Sequence, residues 1–235
     1  TADYIDIKID GPIAQLDASD LASGCFDNPN FNTADPINGN AFCSALGFGA
    51  NGQIPNDPSN PAVVSGFVNG QSELFEGITG ALDYGTSLGG VGVPGALRIG
   101  GDLLYVQRRI VDITGVAPQR SDGIRGDPQF SGQARLIYSL DNFGFGIYAN
   151  YIGEQLYSRF DRGPSPNDTR EIDELDDYVT VNLNTFFETD DGFRFNFGVT
   201  NLFDRIGQEY FGYIIPGSEN DDIGRRYTVS VSKSF

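Results

Sequence analysis

Histidine is absent from all 235 residues, and with it goes most hydrolytic chemistry. A Ser-His-Asp triad, a Cys-His pair and a histidine-ligated zinc site cannot be assembled from this chain. An enzyme here would need a carboxylate pair, and spacing sets no two acidic residues apart, so the chain is expected not to be an enzyme. The two cysteines, Cys25 and Cys43, sit in a stretch rich in Gly, Asn and Pro. Two thiolates cannot by themselves complete the four-ligand site that zinc prefers. In an oxidising compartment they would bridge and stabilise the stretch by about 3 kcal/mol on the loop-entropy estimate; otherwise they stay as two thiols. The last candidates are acidic: Asp161 and Asp168, then Glu171, Asp173, Glu174, Asp176 and Asp177. These are oxygen donors of the kind calcium takes. Their spacing is not that of an EF-hand loop, and a solvated loop is the plainer reading, so neither metal nor cofactor is expected.

The elements that would position these groups follow from composition. A balance of 15 basic against 32 acidic residues, net charge −17, argues against nucleic acid, which needs a basic footprint. The 31 glycines, with 18 Phe and 11 Tyr, suit short strands with tight turns and aromatic faces. No segment approaches the roughly 18 continuous apolar residues of a membrane-spanning helix. Two options remain, no membrane crossing or a barrel. Thr1 falls directly into a strand pattern and the chain has no Met, which suggests a piece of a longer chain.

Alternation of period two recurs along the chain. Ile5, Ile7 and Ile9 form one face of an opening strand that Gly11-Pro12 terminates. Residues 11–62 then carry Asn-Pro, Asp-Pro and Asn-Gly punctuation and read as one long structureless loop. A second strand is expected over about 64–86, with Leu74, Ile78, Leu82 and Tyr84 on one parity, and a third over 96–110, with Leu97, Ile99, Leu103 and Tyr105. The fourth sets Phe130, Ala134, Leu136, Tyr138 and Leu140 on one face; the fifth, Phe143, Phe145, Ile147, Ala149 and Tyr151. The sixth has Val179, Val181, Leu183 and Phe187, the seventh Phe193, Phe195, Phe197 and Val199, the eighth Tyr227, Val229 and Val231. Loops after the odd strands are long and polar; turns after the even ones are short. A transmembrane barrel has this asymmetry, with short periplasmic turns and longer extracellular loops.

Asn201-Leu202-Phe203-Asp204 follows the seventh strand, and the terminal Phe235 closes the eighth. This ending resembles TonB-dependent outer-membrane receptors, whose penultimate strand runs into an Asn-Leu-Phe-Asp turn and whose last strand ends in Phe. Tyr227, Val229, Val231 and Phe235 also match the signal read by the barrel-assembly machinery, with Lys233 departing from it. The opening Asp3-Tyr4-Ile5-Asp6-Ile7-Lys8-Ile9 and Gly66-Phe67-Val68-Asn69-Gly70 look like later barrel strands of the same receptors.

The resemblance implies an all-β fold, an antiparallel transmembrane β-barrel of which this chain is about the last eight of about 22 strands. Residues 1–235 are then the C-terminal portion of one barrel domain, with 11–62 a long extracellular loop carrying Cys25 and Cys43. The plug and its coupling box are missing from the sequence. The parent protein would be an active importer in the outer membrane of a Gram-negative bacterium. It would take up a siderophore, cobalamin, haem or saccharide, with energy from the TonB complex acting through the plug. Its partners would be the rest of the barrel and plug, lipid and lipopolysaccharide, and a small-molecule ligand. Arg98, Asp102, Arg135, Asn182 and Asn196 are expected to line the lumen path; the plainer reading makes them solvated or plug-packing residues. The alternative is a complete eight-stranded outer-membrane barrel with a structural or adhesive role, closed by pairing of the first and last strands.

Overall fold

The computed structural model describes residues 1–32, 34–35, 39–47, 66–116, 118–157, 174–208, 210–211, 216–217 and 223–233. Its strands are β1 (Ala2–Asp10), β2 (Ile13–Leu16), β3 (Gly66–Asn69), β4 (Ser72–Ser87), β5 (Ala96–Asp112), β6 (Gln119–Arg120), β7 (Phe130–Leu140) and β8 (Phe143–Ile152). Then come β9 (Gln155–Leu156), β10 (Glu174–Leu175), β11 (Tyr178–Glu188), β12 (Phe193–Thr200), β13 (Tyr210–Phe211), β14 (Pro216–Gly217) and β15 (Arg226–Lys233). Two helices, α1 (Ala18–Phe26) and α2 (Ala41–Ala45), lie between β2 and β3. No helix among the described residues is long and apolar enough to cross a membrane.

The chain divides into two compact units: Thr1–Ile5, Gly77–Gln107 and Asp122–Phe235 form one, and Asp6–Glu76 with Arg108–Ser121 the other. The first is a sheet in which the long strands follow the order β1-β4-β5-β7-β8-β11-β12-β15. Where the register is given, from β5 to β15, every neighbouring pair is antiparallel, and the alternation read from sequence stays in phase across it. Leu97 faces Tyr138, Tyr138 faces Phe145, Ile147 faces Leu183, Leu183 faces Val199, and Val199 faces Tyr227. A slip of one residue would send each strand's apolar set to the opposite face, and none occurs in these ladders. The sheet ends at β1 and β15, so the closed eight-stranded barrel, which needs those strands paired, is corrected to an open one.

The second unit corrects the long loop. Residues 11–62 are not structureless over their described part, because Asp17 caps α1 and Asn40 caps α2. The Asp17 carboxylate accepts the N–H groups of Ser19 and Asp20 (2.8 and 2.9 Å), while Asp20 Oδ2 accepts the Asp17 N–H at 3.0 Å. This reciprocal capping box satisfies donors that a helix start otherwise leaves bare. Asn40 Oδ1 accepts from the N–H groups of Phe42 and Cys43, and its Nδ2 donates to the Cys25 carbonyl at 3.2 Å, which ties the two helices. Cys25 and Cys43 form a disulfide and are fully buried with Leu21 and Leu46, flanked by Leu16, Phe31 and Phe42.

The second predicted strand is also corrected. Within 64–86 the chain forms two strands, β3 and β4, separated at Gly70-Gln71. Strand β3 pairs with β2. The Gly70 N–H donates to the Pro12 carbonyl at 2.8 Å, and the Gln71 N–H to that of Asp112 at 2.9 Å, so backbone bonds from elsewhere in this unit interrupt the run. Asp161, Asp168, Glu171, Asp173 and Phe235 lie outside the described residues.

Candidate functional site

The sheet unit has two faces of opposite chemistry, and both are open. On the apolar face Leu82 is 63%, Phe197 41% and Val229 73% exposed. Large aliphatic and aromatic side chains therefore run across neighbouring strands, with no second layer over them among the described residues. Aromatic rings gather at both ends of the strands. Tyr105, Phe130 and Tyr151 meet at centroid distances of 6.3 and 5.9 Å near the long-loop end. Tyr138, Phe143 and Phe145 meet at 5.5 to 6.5 Å near the short-turn end.

The opposite face gathers the polar residues of the same strands, and it holds all five residues predicted for the lumen path. The register places Arg98 opposite Ile137, Asp102 opposite Gln133, Asn182 opposite Tyr148, and Asn196 opposite Phe186 and Ser230. The structure does not gather these five into one cluster. Arg98 and Arg135 both grip Asp83, Arg98 through Nε at 2.9 Å. Arg135 reaches that carboxylate across Gly100, where a Cβ would lie 2.7 Å from its Nε. Asp102 is exposed and makes no hydrogen bond among the described residues.

Asn182 serves the Asn-Leu-Phe-Asp turn. Its Oδ1 accepts the Asn201 N–H at 2.9 Å. Asn201 is 1% exposed and adopts φ 54°, with Asp204 at 56°. That left-handed region penalises most side chains and tolerates Asn and Asp. The Asn201 side chain bonds the Arg205 backbone twice, accepting its N–H (2.9 Å) and donating to its carbonyl (2.7 Å). The Tyr178 hydroxyl also donates to that carbonyl at 2.8 Å. Asp204 Oδ1 accepts the Arg225 N–H at 2.7 Å, and the Leu202 N–H donates to the Val181 carbonyl at 2.7 Å. The motif therefore joins β11, the end of β12 and the approach to β15.

An opening of about 340 Å³ on the polar face was not foreseen. Tyr148, Asn184, Phe186, Arg194 and Thr228 supply its chemistry. Three glycines make room for it. A Cβ on Gly144 would lie 2.5 Å from the Phe186 ring, one on Gly146 2.8 Å from the Tyr148 ring, and one on Gly198 2.5 Å from Thr228 Oγ1. The Arg194 guanidinium stacks 4.0 Å from the Phe186 centroid. Aromatic residues on a polar face beside glycines, Phe186 over Gly144 of the next strand and Tyr148 over Gly146 of its own, were the available signal, since a ring can lie over a glycine that leaves backbone bare.

A continuous exposed apolar face, backed by a polar one on the same antiparallel strands, decides the architecture. The chain is a stretch of barrel wall. No family model and no curated protein matches its sequence. Among solved structures, this wall is similar to a mutant of the ferric enterobactin receptor PfeA of Pseudomonas aeruginosa, at 18% identity over 75% of this chain and 24% of that one, TM-score 0.48. A second mutant in complex with enterobactin gives 19% identity, the same coverages and a TM-score of 0.49. The wall spans about a quarter of the length of these receptors.

Proposed function

We propose that this wall belongs to an active transporter of the outer membrane, of the TonB-dependent kind that Asn201–Asp204 resembles. The carrying observation is the exposed apolar face. In water so large an unpartnered hydrophobic surface is unusual in a monomeric protein, whereas lipid is its natural solvent. Its dimensions suit that solvent. Phe130 and Tyr138 stand eight residues apart in β7, about 27 Å at 3.4 Å per residue. Tilted by about 40° they span about 20 Å of membrane, against an apolar band of about 25 Å between aromatic girdles.

In this reading the polar face, with Arg98, Asp102, Arg135 and Asn196, fronts the lumen and a plug. The short turns meet the periplasm and the disulfide-held helices lie outside, where they take part in capturing a ligand of the siderophore, cobalamin, haem or saccharide class. Energy reaches the lumen from the TonB complex through the plug. The remainder of the barrel covers the edges of β1 and β15, since bare strand edges are not tolerated in hydrocarbon.

The test is the sidedness of β15 in the full-length protein carrying this chain, reconstituted in liposomes. A nitroxide at Val229→Cys should be relaxed by oxygen, which concentrates in lipid, and one at Ser230→Cys by a water-soluble nickel chelate. The same accessibility at both positions, or the reverse pattern, overturns the proposal.

A further inference from the structure

The opening on the polar face holds several polar groups with no hydrogen-bond partner among the described residues. Among the described residues the Tyr148 hydroxyl, the Asn184 amide and the Thr228 hydroxyl make no hydrogen bond, although they line one depression with Arg194 and Phe186. Arg194 is half committed. Its Nε donates to Asn196 Oδ1 at 3.3 Å and its Nη1 reaches Glu188 at 3.5 Å, both at or beyond the long end of hydrogen-bond geometry. Among the described residues its Nη2 has no partner. Stacking on Phe186 fixes the guanidinium plane, so that nitrogen is presented at little further cost in side-chain freedom.

We infer that this depression is a binding site for a small aromatic carboxylate. The carboxylate would take the free Arg194 nitrogen, with Asn184 and the Tyr148 hydroxyl within the same opening as further donors. The ring would lie against Phe186, Tyr148 and Ile137, which give the floor its apolar area. Charge decides against a cation, because the one full positive charge at the site points inward and its acidic neighbour, Glu188, is held only at 3.5 Å. The volume, about 340 Å³, falls at the lower end of small-molecule sites. The glycines exclude a larger lining: a methyl group at 144, 146 or 198 would collide with Phe186, Tyr148 or Thr228.

The lining strands place this site beside the Asp141-Asn142 and Thr189–Gly192 turns, at the short-turn end of the wall. Given the proposed transporter, on which this inference rests, that end is the periplasmic exit. The site would hold a ligand after it has passed the capture loops.

The experiment follows 4-fluorobenzoate by fluorine NMR line broadening, with the full-length protein in detergent and 4-fluorobenzamide as neutral counterpart. Wild-type protein should bind the carboxylate more tightly than the amide. Arg194→Gln should weaken the carboxylate roughly tenfold, the size of one charge-assisted bond, and leave the amide unchanged. Tyr148→Phe should weaken both by about threefold, and Arg108→Gln, paired with Glu76 and outside the lining, should change neither. No binding to wild type, or equal binding to wild type and Arg194→Gln, overturns the inference. The nitroxide pattern on β15 is independent of this outcome, so failure of the site is distinguishable from failure of the transporter reading.

Discussion

The sheet and the disulfide-held helices solve the same problem of stability with opposite means. In the helical unit Cys25, Cys43, Leu21 and Leu46 are hidden from solvent and a covalent bond joins them, much as in a small secreted domain whose core is too slight to suffice alone. In the sheet few apolar side chains are hidden. Strands there are held by backbone ladders, and the large side chains of the apolar face remain open to their surroundings. An apolar residue therefore has a different task in each: in the helices it must be kept from water by the protein, and in the sheet it must be kept from water by something else.

The contrast breaks first at the middle of the apolar face. Ile147→Arg should cost about 2–4 kcal/mol in lipid vesicles, the range for a cation at mid-bilayer on a barrel, whereas Asn150→Arg on the other face should cost little. Urea unfolding of the full-length protein in vesicles measures both, and equal costs would show that the two faces meet the same medium. Replacing Cys25 and Cys43 by Ser should cost the helical unit about 3 kcal/mol. Protease cleavage within 18–45 and loss of ligand capture should both follow, while amide exchange in β15 stays as it was.

A third substitution probes the point where the sheet does depend on a buried side chain. Asn201→Ala loses both bonds to Arg205 and meets the left-handed penalty, together about 2–3 kcal/mol. Asn201→Gly, which keeps the backbone free to turn, should lose only about 1 kcal/mol. Thermal unfolding of the two variants separates the contributions.

The smallest effect is acidic. The N–H of Asp20, then the Ser19 hydroxyl, hold the Asp17 carboxyl below its usual value. A folded value below the unfolded one stabilises above the unfolded carboxylate range, near pH 4, and the contribution is lost as pH falls through the folded value. Protection of the Ser19 and Asp20 amides relative to their intrinsic exchange rates should fall as pH drops below about 4. Asp17→Asn, which caps nearly as well, should flatten that dependence.

Most of this wall was legible because its strands keep one period without interruption. From Phe130 onward every long strand lies close to where alternation put it, and the Cys25–Cys43 bridge follows the oxidising alternative. The earlier part misled for physical reasons. The runs flanking Gly70 look like one strand, but what divides them is a set of backbone bonds from Pro12 and Asp112, distant in sequence. The capping pair Asp17 and Asp20 was visible, yet Asn, Gly and Pro punctuation outweighed a nine-residue helix. On the polar face, parity alone selected Arg98, Asp102, Arg135, Asn182 and Asn196. Parity cannot tell that Asp83 occupies two of them or that Asn182 supports a turn. Phe186 and Tyr148 escaped because an aromatic ring on the wet side of a strand looks like an irregularity until the neighbouring glycine is seen beneath it.

The bond from Asn182 to the Asn201 backbone has a bearing on how such a chain is put together. At the long-loop end it ties β11 to the turn after β12, and Asp204, which accepts the Arg225 N–H, ties that turn to the approach to β15. The register of β15 against β12 is thus held from the Arg226 end, and a change confined to Val231–Lys233 should leave that register where it is.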